Sequence, residues 1–142
     1  MGLWCWCGHF SVAIPFQIEM QYITFVEVVL KWIKIVYSQN FSKANNIRTC
    51  FHPDQFVVLN SPNPEIVRKS IIEIEYQTEI AQWVNADVIN IHAGGGYGDK
   101  VKASDQFVKN FYKLSMSARK LLTIENDDKT YTPSDILKIC EV

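Results

Sequence analysis

Little in this sequence marks a secreted, membrane-spanning or nucleic-acid-coating protein. Cysteine is scarce: of four residues only Cys5 and Cys7 are close, and their C-x-C spacing matches neither a zinc ribbon nor a thioredoxin motif. Without a disulfide framework, a reducing interior is expected, cytoplasmic or nuclear. Cys50, in an apolar stretch, is expected to pack. No apolar run is long enough to span a membrane, because the stretch up to Tyr37 is interrupted by Gln17, Glu19, Gln21, Glu27, Lys31 and Lys34. Its first residues also lack the basic start and small-residue cleavage site of a secretion signal. Charge of one sign is missing too. Fourteen Lys/Arg against fifteen Asp/Glu leave a net charge of −1, which counts against a broad basic surface for nucleic acid. Between Gly94 and Lys120, six basic residues stand against two aspartates, a run that a solvated helix face explains as well as phosphate contacts do.

What the chain does have is apolar material, 48% of its residues, enough for one domain with a real core. Ile18, Tyr22, Phe25, Val29, Trp32 and Val36 recur at helical spacing, which predicts a helix over about Phe16 to Tyr37 with one apolar seam. The polar stretch from Ser38 to Asn46 reads as a connection or the end of a second helix. From Ile47 the pattern turns regular. "IRTCFH" reads as a short strand ending at His52. Asn63-Pro64 opens a helix with proline at its first position, and Val67, Ile71, Ile74, Thr78 and Ala81 form its inner face. "DVINIH", apolar at Val88, Ile89 and Ile91 and broken only by Asn90 before its end, reads as a parallel strand buried on both sides. Phe107, Phe111, Leu114 and Ala118 mark one further helix, "LLTIEN" a third strand, and Thr132-Pro133-Ser134-Asp135 a capped helix start. Strand and helix alternate three times, which predicts an α/β fold with a parallel sheet.

His52, His92 and Glu125 fall at the carboxyl ends of these three strands, 40 and 33 residues apart, about one strand-plus-helix unit each. In a parallel α/β sheet or barrel those ends face one mouth, so two imidazoles and a carboxylate meet there. Singly, each histidine reads best as a core residue satisfied by one hydrogen bond. Together the three suit zinc, manganese or iron better than calcium. Acid–base catalysis without metal competes, with Glu125 as base and a histidine as acid. Gly94, Gly95, Gly96 and Gly98 follow His92 and either let backbone approach a ligand or form a plain flexible turn. Asp127 and Asp128 read as groups that orient ligands from behind or as a solvated helix start.

Three segments, "FHPDQFVVLNSP", "VINIHAGGGYGDK" and "LTIENDDKTYTP", closely resemble the UV damage endonuclease family, in the family's order and over roughly Ser42 to Val142. The resemblance implies a TIM barrel and a metal-dependent DNA repair enzyme, with manganese the usual metal, that nicks damaged double-stranded DNA 5′ to ultraviolet photoproducts. It places His52, His92 and Glu125 among the ligands of a multinuclear cluster, with Glu125 and His92 as the catalytic groups. Asn90, Asn126 and Asp127 are then candidates to orient those ligands. Gln55 and Phe56 match the pair that wedges into the duplex at the lesion. Phe stands where relatives often carry Tyr, and it keeps the stacking surface. Gly95, Tyr97 and Lys100 are further candidates for contact with DNA or lesion.

The expected organisation is an apolar helical segment over residues 1–40 followed by a partial TIM barrel over residues 41–142. A full barrel has eight units and about 250 residues, whereas this sequence carries about three. The family's later strands supply further Asp, His and Glu ligands and a modified lysine at positions not found here. The expectation is a truncated chain, inactive alone, whose open half-barrel leaves sheet edges exposed. Two other readings remain: a non-catalytic fragment, and another metal-dependent barrel related to endonuclease IV or a sugar isomerase. No membrane and no obligate protein partner are expected.

Overall fold

The computed structural model describes residues 25–127 and 129–141, and within them three short strands lie side by side in chain order, all parallel. They are β1 (Cys50–Phe51), β2 (Val88–His92) and β3 (Leu122–Glu125). The helices among the described residues are α1 (Phe25–Ala44), α2 (Pro64–Val84), α3 (Lys100–Phe111), α4 (Met116–Leu121) and α5 (Pro133–Cys140). This is the expected α/β arrangement of three β/α units after a helix. None of the described helices is long and apolar enough to cross a membrane.

Local chemistry sets most boundaries. The Asn63 side chain accepts from the Glu65 N–H, Pro64 needs no amide partner, and Asn85 ends α2 in the left-handed conformation at φ 54°. At the start of α5, Thr132 and Asp135 satisfy each other's backbone N–H groups in a capping box. Side chains alternate across β2: Ile89 and Ile91 are buried toward the helices among Ile74, Phe107, Leu114, Ala118 and Ile136. Fully burying one such side chain stabilises the fold by roughly 1.5–3 kcal/mol. The opposite face of the sheet is polar. It carries Asn90 and His92 from β2, and the register sets His92 beside Glu125 and Asn90 beside Thr123.

Some elements differ from the sequence reading. The helix expected to contain Phe107, Phe111, Leu114 and Ala118 is two helices, broken at Tyr112–Ser115. The Ser115 hydroxyl accepts from the Ala118 N–H at 3.1 Å and starts α4, while the Ser115 N–H donates to Glu75 of α2 at 2.6 Å. Phe107, Leu114 and Ala118 are still buried. Helix α1 runs through Ser38 to Ala44 rather than ending at Tyr37, and stops only where Asn46 takes φ 53° and the Ile47 N–H closes on the Ser42 carbonyl at 2.9 Å. It therefore crosses position 40 without a break. Ile18 and Tyr22 of the expected seam, and Cys5 and Cys7, lie outside the described residues. Within them, Val29, Trp32 and Val36 are exposed, and the half-covered positions are Lys31, Ile35, Gln39 and Ser42. Trp32 meets Trp83 of α2 at 6.0 Å between ring centroids. Strand β1 keeps only Cys50 and Phe51 of the expected six residues, and Cys50 is half-buried.

Candidate metal centre and adjoining cavity

Three parallel strands deliver His52, His92 and Glu125 to one place: one ligand atom from each lies within 4.8 Å of the others. His92 Nδ1 is 2.8 Å from Glu125 Oε1, and His52 Nε2 is 3.3 Å from Oε2. The two rings meet edge to face at 5.1 Å between centroids. Groups around them fix their orientation. Asn90 donates to Glu125 Oε2 at 2.6 Å and accepts from the Thr123 hydroxyl at 3.0 Å. His52 Nδ1 faces the Pro53 carbonyl at 3.0 Å.

That last contact decides the tautomer. A carbonyl only accepts, so the proton belongs on Nδ1, and a neutral His52 turns its Nε2 lone pair toward a carboxylate oxygen. Two lone pairs face one another there, and a proton or a cation between them resolves the repulsion. Two imidazoles and a carboxylate, with outer hydrogen bonds on His52 and Glu125, are the donor set of a transition-metal site. The residues fit a divalent metal.

Beside the cluster lies a cavity of about 740 Å³, whose lining includes His92, Gly94, Gly95, Tyr97, Gln55 and Phe56. The tip bearing Gln55 and Phe56 is shaped by Asp54, whose side chain accepts from the Phe56 N–H at 2.9 Å and whose carbonyl accepts from Val57. Phe56 is 75% exposed, an arrangement that core packing does not explain. Tyr97, which also lines the cavity and is 51% exposed, holds φ 47°, an uncommon conformation for a side-chain-bearing residue. Its ring covers Gly95, where a Cβ would stand 3.2 Å away.

Other candidates are placed differently. The Lys100 ammonium donates to Asp135 at 2.8 Å and to the Thr130 carbonyl at 3.3 Å, and it is not among the residues lining the cavity. That ammonium and the Thr132 hydroxyl hold the Asp135 carboxyl far below the usual carboxylate range. Partial burial pushes the Asp127 carboxyl up, but backbone N–H donors from Thr130, Lys129 and Tyr131 and the nearby His92 outweigh it and hold the group below its ordinary value. Asp127 thus folds the loop after β3 and also lines the cavity. Asn126 is exposed, and Asp128 lies outside the described residues.

Asn60 and Tyr131 escape sequence reasoning. Asn60, 2% exposed, donates to the Gly95 carbonyl at 2.7 Å and to the Tyr131 hydroxyl at 3.2 Å; Tyr131, 0% exposed, in turn donates to Gly95 at 3.4 Å. Both sit inside the motifs quoted above, but nothing in their type or spacing announces the contact. Lys69 and Glu73, on α2, also line the cavity.

Fold and cluster together define a parallel β/α protein of the barrel type with a candidate metal centre at its strand ends. The chain belongs to the UV-endonuclease UvdE family, whose family model matches residues 14–142. The match reaches back beyond Ser42 and takes in α1. The chain is 42% identical over 102 residues to the UV DNA damage endonuclease of Bacillus cereus (strain G9842), a match covering 70% of this chain and 32% of that protein. It thus spans about a third of the length of that relative. Its fold is similar to the crystal structure of SacUVDE, with a TM-score of 0.75 at 34% identity over 87% of this chain and 42% of the other. A D-tagatose 3-epimerase-like protein shares the fold alone, with a TM-score of 0.58 at 17% identity over 75% of this chain and 45% of the other.

Proposed function

We propose that these residues contribute to a metal-dependent DNA repair endonuclease that hydrolyses the phosphodiester 5′ to ultraviolet photoproducts in double-stranded DNA. The observation that carries the reading is the convergence of His52, His92 and Glu125 within 4.8 Å at the mouth of the sheet. These three would hold the metal, manganese by family likeness. When bound, the ion supplies Lewis acidity toward a phosphate oxygen and a lowered pKa for water.

The chain's own residues do the rest. Pro53 keeps the His52 proton on Nδ1, so that Nε2 points at the site as a lone pair. Asn90 aims one Glu125 oxygen, leaving Oε1 beside His92. Phe56, projecting from the Asp54 turn, is shaped to enter the duplex next to a weakened base step, with Gln55 beside it. The cavity, lined in part by Phe56 and Tyr97, has room for bases displaced by that wedge. With the three ligands found among the described residues, the expectation is weak metal affinity and no nicking without the further ligands that the family resemblance implies.

The test is nicking of supercoiled plasmid, irradiated and unirradiated, with and without Mn²⁺, by the chain alone and with the remaining segment of a relative added. Irradiation- and Mn²⁺-dependent nicks that map 5′ to the photoproduct support the reading. Equal cutting of unirradiated plasmid, or cutting that ignores Mn²⁺ and His92→Ala, would sink it.

A further inference from the structure

We infer that Asn60 and Tyr131 are positioning residues: a buried lock that holds the loops after all three strands in register and so keeps Tyr97 at the cavity wall. The inference deepens the proposed function and rests on it where DNA is concerned. Each partner of the lock comes from a different loop. Asn60 lies beyond β1 and the Gln55–Phe56 tip, Gly95 is three residues beyond His92, and Tyr131 is six residues beyond Glu125. One side-chain amide thus joins the three segments at 2.7 and 3.2 Å, out of solvent.

Its neighbours are built around it. Asn60 Oδ1 fills the space where a Cβ of residue 94 would stand, at 2.1 Å, and Gly94 holds φ +85°, so this loop passes Asn60 only as glycine. One residue further, the Gly95 carbonyl is the lock's acceptor, and Tyr97 packs its ring onto the open face of the same glycine. Below Tyr131, its backbone N–H and carbonyl pair with Asp127, two residues from Glu125. Asn60 Oδ1 has no hydrogen-bond partner, so the Nδ2 bonds set the loop geometry: moving the loops apart would leave the buried amide N–H groups unpaired as well. The bare apolar core needs neither the amide nor the hydroxyl. Both act through Gly95 on a cavity they do not line.

Tyr131→Phe keeps the ring's packing and removes the hydroxyl, whereas Asn60→Ala risks the fold. Amide hydrogen exchange in the full chain is the first readout. The amides of Asp99, Asp127 and Tyr131, bonded to the Gly96 carbonyl, the Tyr131 carbonyl and the Asp127 carboxyl, should exchange about fivefold faster in Tyr131→Phe, the weight of one net hydrogen bond, with the amides of α2 unchanged. Affinity for a duplex carrying one photoproduct should fall by a similar factor, and that fall should vanish in a Tyr97→Ala background, as it must if the lock acts through Tyr97. A purely structural tyrosine would speed exchange in α2 and the loop alike and would add to Tyr97→Ala. Either result, or unchanged exchange at Asp99, Asp127 and Tyr131, overturns the lock. If the unmodified chain binds no duplex, the proposed function fails, and exchange at Asp99, Asp127 and Tyr131 still decides the lock.

Discussion

Two glycines four residues apart separate backbone strain from a blocked contact. Gly94 and Gly98 both take left-handed backbone, at φ +85° and +83°. An L residue there loses about 1–2 kcal/mol, offset by about 0.4–1 kcal/mol from the stiffer unfolded chain. At Gly98 nothing lies within 4 Å of an added Cβ, so Gly98→Ala carries strain alone. Its net effect is a loss of about 1 kcal/mol. At Gly94 the new Cβ would meet Asn60 Oδ1 at 2.1 Å and its Cγ at 2.9 Å. Asn60 is buried and cannot turn away without leaving Gly95 and Tyr131. Leaving such groups unpaired costs about 1–3 kcal/mol. Gly94→Ala should therefore lose about 3 kcal/mol in all, a large part of the 5–15 kcal/mol that holds a typical domain together. Guanidinium unfolding of both variants, read from midpoints at constant slope, measures the difference. Equal losses at the two positions would refute the blocked contact.

Further expectations follow from the same geometry. Asp127→Asn should destabilise the chain at neutral pH and less so in acid. The native carboxyl titrates below its ordinary value, so its stabilisation is complete above about pH 4 and is lost as pH falls through the native pKa. Parallel acid titrations of the two proteins, followed by circular dichroism, should therefore converge; curves that keep a constant gap down to strong acid would contradict this. Phe56→Ala should change stability by less than about 0.5 kcal/mol, as surface substitutions do, because the ring is 75% exposed. The same variant should weaken binding to a photoproduct-bearing duplex, measured by fluorescence anisotropy, by about 1–3 kcal/mol, the range for aromatic–base stacking. Unchanged affinity would remove Phe56 from the interface.

Much of the site was open to reading because strand ends carry their own signal. The apolar run of β2 stops at His92, and β3 stops at Glu125, so chain order alone brings the ligands to one mouth. Helix starts with a capping side chain and proline, at Asn63-Pro64 and Thr132-Pro133, were equally plain. What escaped depends on partners distant in sequence. The break between α3 and α4 has no glycine or proline to mark it and relies on Glu75 of α2. In α1, Leu30 and Ile33 are apolar beside Val29, Trp32 and Val36, so periodicity could not select the face turned inward. Lys100 was a candidate contact for DNA or lesion by family resemblance, and its bond to Asp135, 35 residues away, has no local signal in the sequence. Asn60 and Tyr131, 71 residues apart, meet through tertiary packing that no local pattern encodes.

The most direct measurement is Mn²⁺ binding to the purified chain, followed by loss of the free-ion electron paramagnetic resonance signal, in the unmodified protein and in His52→Ala, His92→Ala and Glu125→Gln. Saturable binding that each substitution weakens by tenfold or more, about 1.4 kcal/mol, is the expected result. Binding that survives all three substitutions, or none in the unmodified chain, would contradict a metal centre built from His52, His92 and Glu125.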